Sequence, residues 1–156
     1  MSELESPVAT QAAGAELARA LRADPDRQPW LVGLEGELGA GKTTLVAGLL
    51  RALGHDGAVR SPTYTFIESY HLAGRAIHHC DLYRITDAEE IEHLGLRELV
   101  TDDAWLFVEW PSRAARRLGQ FDLLLTLDYP PDGGGRRLRI TAGSARGAAL
   151  VARLAR

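Results

Sequence analysis

Residues 36–43, Gly36-Glu37-Leu38-Gly39-Ala40-Gly41-Lys42-Thr43, restrict the possible folds of this chain more than any other stretch. Glycine, four residues, then Gly-Lys-Thr is the phosphate-binding loop pattern, which has meaning only between a strand and a helix. Both flanks are present. The apolar run Trp30-Leu31-Val32-Gly33-Leu34 reads as a buried strand, and Thr44 to Leu53 reads as a helix. Glycines let the backbone turn and aim successive N–H groups inward, and the helix start adds partial positive charge where a phosphate sits. Lys42 is expected to reach the β- and γ-phosphates and the Thr43 hydroxyl to hold Mg²⁺, so the cofactors implied are ATP and Mg²⁺.

Composition sharpens this reading at one point. Lys42 is the only lysine in the chain, so the 18 basic residues comprise 17 arginines and this one ammonium. A planar guanidinium cannot replace a compact ammonium inside a tight phosphate cradle. The remaining numbers bound the class. A length of 156 residues predicts one domain, and residues 1–8 read as a flexible N-terminus. No apolar run reaches the ~18 residues of a membrane span. The acidic start, Met1-Ser2-Glu3-Leu4-Glu5, is unlike a secretory signal, and a single cysteine, Cys80, cannot form an internal disulfide. Cytoplasmic placement is expected. A net charge of −3 argues against this chain gripping a nucleic acid backbone by itself.

Along the chain, Thr10 to Ala23 reads as a helix with Thr10 as its cap, followed by a turn over 23–29. Gly54 to Gly57 ends the helix after the loop. Residues 66–72 and 76–83 flank Gly74 as a hairpin. Thr86-Asp87-Ala88-Glu89 reads as a capping box opening a short helix that Gly95 breaks, with a further turn over 96–100. Ala104 to Val108 reads as a strand buried on both faces. A helix is expected over 112–118, a second hairpin from 121–129 and 136–141 around residues 130–135, and a final helix over 145–154. The fold class is α/β: a single P-loop domain whose mixed central sheet combines a parallel core with antiparallel hairpins, flanked by helices.

A P-loop site needs an acid at the end of a neighbouring strand. Glu109 follows five apolar residues and is the expected metal-side carboxylate, with Thr43. Asp81, after a more polar strand, is the second acid, positioning water. Each also has a structural reading, as strand-end cap or surface ion pair. Thr63 and Thr65, pinned by Pro62, are candidate sensors of the nucleotide. His78 and His79 point to opposite faces of a strand, so no zinc is assigned. Arg113, Arg116 and Arg117 form either a kinase-like lid or an exposed face, the latter favoured. Trp110 is either packed core or a platform beside the nucleotide.

Four segments together carry a family resemblance. Residues 36–44, Ser61-Pro62-Thr63-Tyr64-Thr65, Asp81-Leu82-Tyr83-Arg84 and Val108-Glu109-Trp110-Pro111 resemble, in order and spacing, the bacterial TsaE family, also called YjeE. The resemblance implies an ATPase required for threonylcarbamoyladenosine modification of tRNA, acting on a complex of TsaB and TsaD proteins and meeting tRNA only through them. Carried over by position, it implies catalytic roles for Lys42, Asp81 and Glu109. It implies metal contacts from Thr43 and Glu109, and nucleotide contacts from Gly36, Glu37, Leu38, Gly39, Ala40, Gly41, Lys42, Thr43, Thr44, Thr63, Asp81 and Trp110. It extends to Thr10, in the family's base-contacting segment, and to Gly133 at the second hairpin tip. Ser69 and Cys80 depart from the family pattern without touching a proposed role. A small-molecule kinase and a nucleotide-binding regulatory switch are the alternative functions.

Overall fold

The segment Trp30–Glu35 is too short for a helix and almost uniformly apolar, which suits a strand covered on both faces. In the computed structural model, which describes residues 1–131 and 133–155, it is the central strand β2. The elements before it are β1 (Ser2–Leu4) and α1 (Pro7–Arg22); those after it are α2 (Lys42–Ala52), β3 (Ile67–Leu72) and β4 (Arg75–Asp81). Then come α3 (Ala88–His93), α4 (Leu96–Leu99), β5 (Trp105–Glu109), a 3₁₀ turn (Pro111–Arg113), α5 (Ala115–Leu118), β6 (Leu123–Asp128), β7 (Arg136–Ala142) and α6 (Ala145–Leu154). One seven-stranded sheet runs β1-β7-β6-β2-β5-β4-β3. Its core, β6-β2-β5-β4, is parallel, and the hairpin partners β3 and β7 pair antiparallel at its two sides. This is the mixed sheet expected from the sequence.

The alternation along the strands divides the core. Trp30, Val32, Leu34, Ile77, Trp105 and Phe107 face α1 and α2 in one apolar layer. Leu31, Cys80, Leu106 and Val108 form the other with Ile91, Leu96 and Ala114. Burial pushes the Cys80 thiol far above its ordinary pKa, so it is an apolar core group. The pairing of α1 with α2 depends on two glycines: a Cβ at Gly14 would lie 2.0 Å from the Leu45 carbonyl oxygen, and one at Gly48 2.1 Å from that of Gln11. The helix after the loop is thus held backbone to backbone. Its C-terminus closes as expected at Gly54, with Gly54 N–H on the Arg51 carbonyl (3.0 Å) and His55 N–H on that of Leu50 (3.0 Å).

Several expectations need correction. Residues 1–8 contain β1, which pairs with β7, and the first turn of α1. Thr10 is not the cap: Ser6 caps α1, accepting the Ala9 N–H at 3.2 Å, and Pro7 occupies the first turn where no donor is needed. Thr10 is buried inside the helix, its hydroxyl donating to the Ser6 carbonyl. The capping box lies one residue later than expected, on Asp87 and Glu90, because Asp87 takes the extended backbone of a cap. The helix expected over 112–118 is split into a 3₁₀ turn and a single α turn ended by Gly119 at φ +83°. In the second hairpin, Asp132 lies outside the described residues.

Candidate functional site: the loop between β2 and α2

Two cations fix the loop's backbone. Lys42 Nζ donates to the carbonyls of Gly36 (2.7 Å) and Glu37 (3.0 Å). From β7, Arg136 donates through Nε to the Ala40 carbonyl (3.0 Å) and through Nη2 to that of Gly39 (3.3 Å), while its guanidinium stacks 4.1 Å from the Tyr129 ring. A trans peptide puts each N–H opposite the preceding carbonyl. Turning the carbonyls of Gly36, Glu37 and Ala40 onto cations therefore aims the N–H groups of Glu37, Leu38 and Gly41 the other way. Gly41 holds φ +107° immediately before α2, a conformation that side chains resist. The result is a concave run of amides at a helix start, the arrangement that receives phosphate.

The acids come from the neighbouring strands. β4 and β5 are adjacent and parallel, with Asp81 opposite Glu109 in register, so both carboxylates leave the same face at the same end. β2 lies on the other side of β5, with Leu34 opposite Glu109. Glu109 is 4% exposed; its Oε2 lies 3.8 Å from Lys42 Nζ, and its Oε1 2.8 Å from His79 Nε2. Asp81 is 3% exposed; its Oδ1 accepts the Tyr83 N–H (2.9 Å) and its Oδ2 the Thr63 hydroxyl (3.1 Å). Neither acid is a surface ion pair. Thr63 in turn shares a 2.8 Å hydrogen bond with Ser61, so the segment after Pro62 is tied to the end of β4. Thr65 instead donates to Glu68, away from the loop.

Trp110 packs at the edge of the layer that holds Leu106 and Val108, so part of its ring belongs to the core. It is half-buried in the left-handed conformation (φ +59°), between Glu109 and Pro111. Its ring lies 5.6 Å from Lys42 Nζ, 5.7 Å from the Arg113 guanidinium and 5.3 Å from the Tyr83 ring. The three arginines of 113–117 part company. Arg113 donates to the carbonyls of Leu82 (3.1 Å), Tyr83 (2.6 Å) and Ile85, holding the turn after Asp81. Arg117 pairs with Glu92 at 2.8 Å, and Arg116 is exposed. Arg113 is thus neither lid nor solvated face.

A cavity of about 280 Å³ lies between the loop and the acids, lined by Leu38, Gly39, Gly41, Lys42, Thr43, Thr44, Ser61, Thr63, Asp81, Glu109 and Trp110. A second, of about 250 Å³, lies across the loop, lined by residues including Ser6, Pro7, Thr10, Gly135 and Arg136. Gly39, Gly41 and Thr44 border both. Gly36 and Glu37 line a third hollow with Trp110 and Asp128, and Ala40 is wholly buried beneath the loop. Gly133 lines none of these three; Gly135 and Arg136, from the same connection, take the place expected for it. Sequence reasoning missed Arg136, hidden among many arginines, and the hydrogen bond between His79 and Glu109, since His79 was weighed only as a zinc ligand. Among the described residues no cluster of three or more metal-ligating side chains occurs, and no helix is long and apolar enough to cross a membrane.

A family model described as TsaE, threonylcarbamoyl adenosine biosynthesis protein, matches residues 4–137. A Haemophilus influenzae protein with the description tRNA threonylcarbamoyladenosine biosynthesis protein TsaE is 46% identical over 65% of this chain and 65% of its own length. One from Streptomyces coelicolor, with the same description, is 39% identical over 74% of this chain and 76% of its own. The chain thus spans just under two thirds of the Haemophilus relative. Among solved structures, the crystal structure of Bacillus subtilis YdiB superposes with a TM-score of 0.70 at 28% identity, covering 96% of this chain and 89% of that one.

Proposed function

The chain belongs to the TsaE family of threonylcarbamoyl adenosine biosynthesis proteins, and from that premise we propose that it is a Mg²⁺-dependent ATPase of the cytoplasm. In this reading it serves threonylcarbamoyladenosine modification of tRNA by acting on a TsaB–TsaD-like complex. One observation carries the ATPase reading: Lys42, Asp81 and Glu109, from three different segments, border one cavity at the mouth of the loop. The residues present fit the two groups. Concave amides and one buried ammonium suit phosphates, and the hydroxyl of Thr43 with the carboxylate of Glu109 offers oxygen donors to a hard cation. Bound Mg²⁺ would offset phosphate charge. Asp81, its geometry set by Thr63 and Tyr83, would orient the attacking water. The second cavity, beside Thr10 and Arg136, has room for the nucleoside.

The same site explains a need for partners. P-loop catalysis gains ~10³–10⁵ from an arginine aimed at the transferring phosphoryl. Arg113 and Arg136 are engaged with backbone carbonyls, and Arg84 stacks 5.3 Å over Tyr64. Acidic net charge leaves tRNA contact to the partners. The anchoring of Arg113 weighs against a kinase lid. The test is steady-state ATP hydrolysis by the chain alone and with a TsaB–TsaD complex, together with repeated rounds of tRNA modification. Slow turnover alone and strong stimulation are expected. Fast hydrolysis by the lone chain, or undiminished cycling of modification without it, would overturn the reading.

A further inference from the structure

On the face of the sheet that carries the site, β4 presents Ile77, His79 and Asp81, and β5 presents Trp105, Phe107 and Glu109. Five of these six complete the apolar layer or end as the site's acids; His79 is a polar side chain in an apolar row. It is 0% exposed, lies opposite Phe107, and is one diagonal step from Glu109. Its Nε2 stands 2.8 Å from Glu109 Oε1, whereas its Nδ1 is buried with no hydrogen-bond partner among the described residues. A carboxylate oxygen accepts, so the ring nitrogen facing Glu109 is the donor, and Nδ1 is the atom left unpaired. A buried polar atom left unpaired is a cost that packing does not explain. The hydrogen bond on the other side of the ring is what the cost supports.

We infer that His79 is a positioning residue for Glu109, an inference that rests on the nucleotide and metal reading above. The terminal torsion of a glutamate is broad and roughly two-fold, so an untethered carboxylate at a strand end can offer either oxygen in many orientations. The hydrogen bond from His79 holds Oε1 and leaves Oε2 facing Lys42 and the cavity. This is the arrangement in which an outer partner orients a metal-side carboxylate, and loss of such partners costs 10–100-fold in metal affinity, roughly.

The test measures binding of a fluorescent ADP analogue to the full chain with Mg²⁺ and with EDTA, and takes the ratio of affinities as the gain from the metal. His79→Leu keeps approximate volume and removes the donor; His79→Gln keeps an amide N–H able to reach Glu109. The expected result is unchanged affinity in EDTA for both, a gain lowered about tenfold in the leucine variant, and a gain largely restored in the glutamine variant. In a Glu109→Gln background, His79→Leu should then change the gain no further. If the leucine chain does not melt cooperatively, His79→Asn, whose shorter amide falls short of Glu109, replaces it in the comparison with His79→Gln. A full gain in the leucine or asparagine variant, or an additive loss in the double variant, refutes the role of His79. Absence of nucleotide binding by the wild type refutes the site assignment beneath it.

Discussion

Replacing Lys42 by arginine keeps the charge and tests the geometry of the cradle. Nζ sits 2.7 Å from the Gly36 carbonyl oxygen, 3.0 Å from that of Glu37 and 3.8 Å from Glu109 Oε2, in a residue 5% exposed. In arginine, the carbon Cζ falls where Nζ stands, and the terminal nitrogens extend about 1.3 Å beyond it. A carbon 2.7 Å from a carbonyl oxygen is inside van der Waals contact, so the head must withdraw or the loop must open. Either way the two carbonyls lose their donor. Hydrogen bonds to charged groups contribute ~1.5–3 kcal/mol each. Even at the low end of that range the two bonds together are worth ~3 kcal/mol, roughly a hundredfold. Removing a preorganised charge contact from a phosphoryl-transfer site costs a similar amount. The assay is nucleotide binding and single-turnover ATP hydrolysis for Lys42→Arg beside Lys42→Ala, each checked by thermal melting. Both variants should fall by about a hundredfold, with arginine nearly as poor as alanine. An arginine variant within threefold of the wild type would show that point-charge geometry is not what the site requires.

Four further outcomes are expected. Glu109→Gln and Asp81→Asn should still bind ATP, because the amide cradle remains, yet lose partner-stimulated hydrolysis; normal turnover by Asp81→Asn would make Asp81 purely structural. ATP should outcompete GTP with Mg²⁺ present, because the chain has no asparagine and its one lysine lies in the loop, so the Asn-Lys-x-Asp guanine reader cannot form; a tenfold preference for GTP contradicts this. Gly48→Ala forces a Cβ to 2.1 Å from the Gln11 carbonyl oxygen; overpacking of ~1–3 kcal/mol less ~1 kcal/mol of helix propensity should lower the urea midpoint, and an unchanged midpoint would mean α1 and α2 separate freely. His78 has its pKa held below the ordinary 6.5, first by burial and then by His71. The folded state therefore binds fewer protons than the unfolded chain, and stability present above about pH 6.5 is lost as pH falls below it; His78→Gln should flatten the dependence of melting temperature on pH between about 7 and 5, and an unaltered slope removes His78 as its source.

What could be read from the chain depended on the range of the forces concerned. Strand β5 was legible because Trp105–Val108 has no polar residue to orient it toward water, and α6 because its apolar spacing and Ser144 cap are local. The N-terminus was misread because β1 is three residues long and exists only through pairing with β7, over a hundred positions away. Thr10 was mistaken for a cap because its chemistry suits one; Ser6 followed by Pro7 was the stronger signal, since proline favours the first helical turn. Arg113 was unreadable for a different reason. A guanidinium on a short turn is equally compatible with solvent, a lid, or carbonyls, and only the return of the chain at Leu82–Ile85 decides among them.

The site follows the same division. The loop declares itself because its amides, its lysine and its helix are contiguous in sequence. The acids were found from strand ends alone, but which of them faces the lysine is a property of sheet order. β5 stands between β2 and β4, so the Glu109 carboxylate is the acid next to the strand that feeds the loop, and Asp81 is one strand further out. That order makes Glu109 the partner of Lys42 and leaves Asp81 to bind Thr63. It also gives the parts unequal freedom. Lys42, Glu109 and His79 form a buried chain anchored in two central strands and a helix packed backbone to backbone. Asp81 is instead joined to the segment of Ser61 and Thr63, which lies outside the regular elements. A displacement of Thr63 would therefore be felt first at Asp81, to which the proposed function gives the positioning of water, while Lys42 and Glu109 stayed in place.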